Sequence, residues 1–477
     1  MKHLRIFDSL EDYNVALYSG DLAHPNVSYI RGGKHIKYFP SPDYDLPLYV
    51  EALEELTVSF SVNTIYYSMD NATWISLSAG TETPVVASGE KIFFKASGLT
   101  ASSTSGIGTF TISGACNVGG NIMSLLKENY ANETELTASY QFMNLFLNAT
   151  TIKDASRLGM PRQKVSAYSF RAAFKGCTSL VNAPELPATT LASYCYGYVW
   201  SQHGKSDIYD GMFEGCTSLV NAPALPATTL VTGCYAAMFK GCVNLINAPK
   251  LPAKTMAQYC YSAMFANCSN LVNAPALPAT TLAVGCYGGY YYNTSLSSSN
   301  ITRSLRGMFE GCTSLVNAPA LPATELVDSC YSRLFYGCTS LVKAPELSAV
   351  TLSVYCYNYM FYNCTNLVDV PDLKAMTPAS YSCYYMFANC SNLVQAPALP
   401  ALELTTSYCY SYMFANCTNL KYIKAMFLTG FSSTYLNGWV SKVSASGTFV
   451  KNAAATWANS FGASAIPQGW SVKTEEA

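Results

Sequence analysis

Charge is scarce in this chain. Asp, Glu, Lys and Arg make up 12% of its 477 residues, about half the roughly 25% of an average soluble protein. The 28 basic and 29 acidic residues nearly cancel, leaving a formal charge of −1. No basic stripe is present, which argues against nucleic-acid binding through phosphate neutralisation. Histidine is rarer still, at four residues. His3, His24 and His35 sit in the first fifty positions and only His203 lies further on, so a histidine-based triad has little to draw on. No P-loop, dinucleotide fingerprint, HExxH or GxSxG occurs. No long apolar run exists, so membrane insertion is not expected. The start, MKHLRIFDSLEDYNVALYSG, is broken by Asp8, Glu11 and Asp12 and does not read as a signal peptide. These absences predict no catalytic residues, no cofactor and no metal site, with synthesis and folding in a reducing cytoplasm.

What the chain has in abundance is a repeat. A Gly/Asn–Cys step recurs at Cys177, Cys216, Cys242, Cys268, Cys312, Cys338, Cys364, Cys390 and Cys417. The basic spacing is 26 residues, stretched to 39 and 44 by two insertions. A second series, mostly Cys-Tyr, falls at Cys195, Cys234, Cys260, Cys286, Cys330, Cys356, Cys383 and Cys409. A fixed period of this length signals a solenoid. Within one unit, CYAAMFKGC, the residues Cys234, Met238 and Cys242 fall at i, i+4 and i+8, which predicts a short helix. Gly241, or its Gly/Asn equivalents, would stop that helix in the left-handed region. TSLVNAP then reads as a short strand ended by Pro223 and Pro226. A unit of strand and short helix cannot bury its apolar side alone, and stacking buries it.

The phrase MFxGCxSLxxAPxLP resembles the BspA-type leucine-rich repeat, with its AFxxCxxL core, over residues 174–425. The resemblance implies a β-rich α/β fold with a leucine-rich-repeat solenoid of about ten coils. A degenerate unit, LFLNATTIKDASRL (145–158), would cap it at the N-terminal end. The segment GTFVKNAAATWANSFGASAIPQGWSV, which loses the period, would cap it at the other. The expected domains are an N-terminal attachment module (1–50), a β-sandwich (51–114), a connector with the degenerate repeat (115–173), the solenoid (174–440) and the C-terminal cap (441–477). The sandwich rests on five alternating stretches: LTVSFSV, TIYYSMD, TWISLSAG, KIFFKASG and GTFTISG. Two short strands are expected around Gly32-Gly33.

Three readings of the cysteines compete. Disulfides between neighbouring coils are geometrically open, because equivalent Cα atoms would lie about 4.8 Å apart. Zinc lacks the close Cys-x2-4-Cys spacing it usually shows. Packing of free thiols in the core is favoured, since cysteine is among the most buried residue types. Glu214 and Glu310 recur in phase, 96 residues apart, and read as a solvated row rather than a glycosidase pair. The asparagines of VNAP (182, 221, 247, 273 and 317) read as a row bonded along the stack, with a sugar-binding face as the other option.

The copies differ most in the two insertions, GYVWSQHGKSDIYDG (197–211) and GGYYYNTSLSSSNITRSLRG (288–307). Both enter between Cys-Tyr and Met-Phe, and so emerge from one edge. Their Tyr, Trp, Ser, Gly and Asn content is that of adaptable contact loops. The candidate ligand or partner contacts are Tyr198, Trp200, His203, Tyr209, Tyr290, Tyr291, Tyr292, Arg303 and Arg306. Packing on neighbouring subunits is the alternative use of these loops. Repeats of this type are common in surface proteins of Bacteroidetes and of the phages that infect them, and residues 1–50 resemble the start of structural proteins of crAss-like phages. The resemblance implies a non-enzymatic virion fibre or decoration protein, on head or tail. It would be a homotrimer by analogy with phage fibres, held to other virion proteins by its N-terminal module and adhering to host-surface glycan or protein. The alternative is a BspA-like adhesin on the bacterial cell surface.

Overall fold

Backbone N–H groups in the repeat alternate between two kinds of partner. In the computed structural model, which describes residues 30–31, 34–35, 41–200, 207–289 and 305–475, Gly233, Tyr235, Ala237, Phe239 and Gly241 donate to carbonyls of the next coil. Cys234, Ala236, Met238, Lys240 and Cys242 donate three residues back within their own coil. The segment is therefore a chain of β-turns, not the expected helix. The physical reason is lateral cohesion. A helix would spend every N–H internally, whereas here half of them stitch one coil to the next. The i, i+4, i+8 spacing fits both arrangements, because the turns recur every four residues. Their third positions take positive φ: Gly233 at 60°, Ala237 at 54° and Gly241 at 73°. Gly241 and its Gly/Asn equivalents thus do adopt the left-handed conformation, as the third residue of a type II turn rather than as a helix stop. Among the described residues the single α-helix is α1, Ser433–Leu436, and two 3-10 turns cover Ile122–Leu125 and Tyr130–Asn132.

The opposite side of each coil is held by single parallel bridges. Asp154 pairs with Asn182, and the ladder continues through Asn221, Asn247, Asn273, Asn317, Lys343 and Asp369. The expected strand shrinks to one bridge per coil because prolines remove the flanking donors. Asn side chains bond along the stack, as Asn247 to Asn221 at 3.3 Å and Asn270 to Asn244 at 3.2 Å. Beside them runs an exposed aliphatic column: Val181, Ile246, Val272, Val316, Val342, Val368 and Val394.

Two aromatic columns fill the centre. Phe110, Phe146, Phe174, Phe213, Phe239, Phe265, Phe309, Phe335, Phe361, Phe387 and Phe414 succeed one another with centroids 5.0–5.8 Å apart. Trp439 closes the column at 6.2 Å. Tyr196, Tyr235, Tyr261, Tyr287, Tyr331 and Tyr357 stack likewise. That second column breaks at Cys383. Tyr357 donates to Ser382 just as Tyr331 donates to Cys356, so Ser382 holds the cysteine place and Cys383 the tyrosine place. Assigning Cys383 to the Cys-Tyr series puts it one residue out of register.

All eighteen cysteines are buried and free. The nine that follow Gly or Asn, with Ala149 standing before them in the degenerate coil, have a defined task. Each Sγ lies 3.0–3.2 Å from the carbonyl oxygen of the preceding coil's phenylalanine, as Cys242 to Phe213 and Cys338 to Phe309. The thiol is thus a small apolar filler that also donates a weak hydrogen bond. Burial pushes the thiols up, Cys409 to about 11 and Cys417 to about 12, so little reactive thiolate forms. Iodoacetamide at pH 8 is expected to label none of the eighteen in the folded chain and all of them after denaturation without reductant. Protected cysteines in the denatured sample, read by intact mass, would mean disulfides.

At the N-terminal side, β1 (Ile30–Arg31) and β2 (Lys34–His35) pair antiparallel, the two short strands expected around Gly32-Gly33. The other residues before 41 lie outside the described residues. The next strands are β3 (Leu48–Ala52), β4 (Val58–Phe60), β5 (Ile65–Ser68), β6 (Ile75–Leu77), β7 (Lys91–Lys95), β8 (Phe110–Ile112), β9 (Cys116–Asn121) and β10 (Ile152–Gly159). Five of them, β4 to β8, fall on the alternating stretches. They do not form an independent unit between 51 and 114. The larger sheet has the order β10-β9-β3-β7-β5-β6, so β3 crosses the expected boundary at 50 and β9 lies beyond the one at 114. Strands β4 and β8 pair separately and meet the sheet where Phe110 contacts Phe60, Phe94 and Phe146. Parallel pairing of β10 with β9 makes the first coil an extension of this sheet. The stretch GNIMSLL (120–126), which runs on from the end of β9, is buried against this sheet: Ser124 Oγ donates to the Phe94 carbonyl of β7 and accepts from the Leu48 N–H of β3, both at 2.9 Å.

The stack also outlasts its cysteines at the other end. Strands β13 (Tyr422–Ala425), β14 (Thr448–Asn452) and β15 (Ser471–Glu475) are parallel neighbours. The expected cap at 441–477 therefore continues the bridge ladder rather than leaving it.

Candidate functional site

The two insertions leave the stack through the same gate. Met212 N–H donates to the Tyr196 carbonyl and Met308 N–H to the Tyr287 carbonyl, each at 2.8 Å. The chain passes so close to the next coil that side chains are shut out. A Cβ on Gly211 would meet the Ala237 oxygen at 1.9 Å, and one on Gly307 the Arg333 oxygen at 2.1 Å. The first insertion begins and ends as a hairpin of β11 (Val199–Trp200) and β12 (Ile208–Tyr209).

Of the sequence candidates, His203, Tyr290, Tyr291, Tyr292 and Arg303 lie outside the described residues. Tyr209 and Arg306 meet each other, the Arg306 N–H donating to Tyr209 Oη at 3.0 Å. Tyr209 is buried, packed with Val199, Leu305 and the alanines 236, 237, 263 and 266 of the two intervening coils, with Lys240 Nζ over its ring at 4.7 Å. It joins the insertions to each other and is not open to a ligand. Tyr198 is partly exposed, with the Arg171 guanidinium over its ring at 4.2 Å. Trp200 is half exposed.

Glu214 and Glu310 are not a solvated row; both are buried. Arg333 grips Glu310 with two hydrogen bonds of 2.8 Å, Arg306 Nη1 adds a third at 3.0 Å and Gly307 N–H a fourth at 3.3 Å. Glu214 receives Lys240 at 2.7 Å and Lys175 at 3.0 Å. Each glutamate follows an insertion, and this was readable: the x of Phe-x-(Gly/Asn)-Cys is Glu only in those two coils and Lys, Ala or Tyr elsewhere. The carboxylates anchor the returning chain.

Asp210 extends the first anchor. Arg171 donates to it from Nε at 3.1 Å and Nη2 at 2.6 Å, and Lys175 Nζ at 2.8 Å. Burial works against the charged carboxylate, yet the bonds and charges of Lys175 and Arg171 outweigh it and hold its pKa below the usual value. A depressed folded pKa stabilises above the unfolded value near 4, and that stability is lost as pH falls through the folded one. Urea unfolding is therefore expected to show Asp210→Asn about 2 kcal/mol less stable at neutral pH, the scale of hydrogen bonds to a charged group. The gap should shrink between pH 4 and pH 2; a gap independent of pH would contradict the assignment.

These groups border a groove of about 510 Å³, lined by Ser103, Thr104, Asn144, Asn148, Arg171 and Asp210 among others. A second surface lies further along the stack. Tyr336, Tyr355, Tyr359, Tyr362, Tyr381, Tyr384, Tyr385, Tyr408 and Tyr412 form one connected ring network, all partly exposed. Six of them, 355, 359, 381, 385, 408 and 412, hold positive φ, at a cost of about 1 kcal/mol or more each. Gly233, Ala237 and Ser329 occupy equivalent turn places elsewhere, so building a coil does not require tyrosine there.

Stacked coils of a fixed period, strand-rich and almost without helix, define a repeat protein with a leucine-rich-repeat domain. The sequence matches BspA type leucine rich repeat region in six copies, over residues 168–272, 201–315 and 287–421. Together these cover more than half of the chain, which belongs to that family. No curated protein and no solved structure matches the chain significantly.

Proposed function

We propose that the chain is a non-enzymatic adhesive protein whose repeat forms a solenoid scaffold and whose recognition surface lies along the turn edge. The observation that carries this reading is where the chain departs from its own repeat. Both insertions and the partly exposed tyrosine network fall at the turn edge, while the Phe, Tyr and Cys columns inside are occupied by packing. In the reading favoured by the first fifty residues, the solenoid is displayed on a Bacteroidetes phage particle as a head or tail fibre or decoration, as a homotrimer fixed by the N-terminal module. Family membership fits a bacterial surface adhesin equally. Proteomics of purified virions, with light scattering on the isolated chain, tests the phage reading: a monomer found in no particle overturns it. Binding of labelled chain to intact host cells tests adhesion itself, and a chain that does not bind them contradicts both readings.

A further inference from the structure

We propose that the groove between the N-terminal sheet and the first three coils is a saccharide site that takes an uncharged sugar unit. Three elements of the fold build it. The loop at Ser103 and Thr104 comes from the sheet, Met143, Asn144, Leu147 and Asn148 from the degenerate coil, and Arg171, Ala172, Lys175 and Asp210 from the next two. Its volume of about 510 Å³ falls among ligand pockets of roughly 300–1,000 Å³.

The wall is preorganised. Asp210 fixes Arg171 through two donors, the Tyr198 ring backs the guanidinium, and Asn144 Nδ2 ties the coil to the Thr104 carbonyl at 3.4 Å. Charge sets the ligand class. Arg171 and Lys175 both bond Asp210, and Lys175 and Lys240 both bond Glu214, so every cation already holds a carboxylate, with one positive charge in excess over the five groups. An acidic sugar would have to compete at each cation with a carboxylate already in place. What remains are the hydroxyl of Ser103 and the amide of Asn148, beside the Thr104 hydroxyl that meets Ser102 Oγ at 3.1 Å, groups that both donate and accept, as sugar hydroxyls require. At the Arg171 corner stands a column of partly exposed rings, Tyr140, Tyr168 and Tyr194, with Tyr198 against its end. Amphipathic rings of this kind suit the mixed polar and apolar faces of a sugar.

The site rests on the adhesive reading above, and the experiment separates the two. Labelled full chain is applied to intact host cells and, in parallel, to an array of neutral hexose and N-acetylhexosamine oligosaccharides with their sialylated and sulfated counterparts. Ser103→Trp fills the groove from an exposed loop, and Tyr198→Ala removes the ring behind Arg171. Thermal melts check that both variants fold. The expected result is retention of neutral oligosaccharides by the native chain, weakened at least tenfold by Ser103→Trp at unchanged Tm and reduced by Tyr198→Ala. Cell binding with unchanged array binding in both folded variants would overturn the groove and leave adhesion standing. Retention of acidic sugars alone, or cell binding abolished by surface proteolysis with no sugar retained, would overturn the ligand class. Absence of binding to both cells and sugars would overturn both readings.

Discussion

Phe335→Ala is expected to lower stability by about 3–5 kcal/mol, the range for deleting a buried aromatic ring. Phe335 is fully buried, with Phe309 at 5.7 Å on one side and Phe361 at 5.6 Å on the other. Its carbonyl accepts both the Cys338 N–H at 3.1 Å and the Cys364 thiol at 3.1 Å. Alanine keeps the carbonyl and removes the ring, so the loss is packing alone. The neighbouring coils are themselves pinned by their ladders, so the cavity cannot collapse. In urea unfolding the midpoint should fall, and hydrogen exchange should quicken in the coils on both sides. Phe335→Leu, which refills most of the volume, should cost clearly less; equal losses for the two variants would show that ring packing is not the source.

Glu310→Ala is expected to cost a similar 3–5 kcal/mol, the penalty for leaving a buried charge without its partner. Arg333 has a side chain 18% exposed, and Glu310 is its ion-pair partner. Burial disfavours the charged guanidinium, but the Glu310 hydrogen bonds and charge outweigh it and raise the Arg333 pKa. Loss of the carboxylate also releases Arg306 and the Gly307 N–H, and so frees the end of the second insertion. Two readouts belong together here: a lower unfolding midpoint, and faster limited proteolysis near residue 306. The double variant Glu310→Ala, Arg333→Met should recover part of the stability, because it removes the stranded charge. No recovery would place the effect elsewhere.

The repeat was legible in the sequence because a 26-residue period constrains everything that stacks. The cysteines are buried, the Gly and Asn residues before them do take positive φ, and the family match falls on the repeats. The helix was not legible. Positions four apart share a face in a helix and also in a run of four-residue turns, and nothing in CYAAMFKGC separates the two. Gly233, Ala237 and Gly241 take positive φ at every fourth position, but alanine at the middle one is a strong helix former and hides that period. Strands β3 and β9 escaped notice because LYVEA and CNVGGN show little alternation: most of their residues are buried. The buried glutamates escaped because a lone Glu inside an apolar repeat is read as solvent-facing, and only their absence from other coils marks them. The groove could not be read at all, since its walls come from residues more than a hundred positions apart.

If the coils are interchangeable and stitched in register, the unfolding of two deletion variants shows it most directly. Removing Tyr357–Ser382, one full period of 26 residues, joins Cys356 to Cys383 and returns every later side chain to its column. Removing the 13 residues 357–369 places later side chains half a period out. Calorimetry should show one cooperative transition for the first deletion, a little below that of the intact chain, and no cooperative transition for the second. If the full-period deletion unfolds, or both deletions melt alike, the coils are not stacked in the register described.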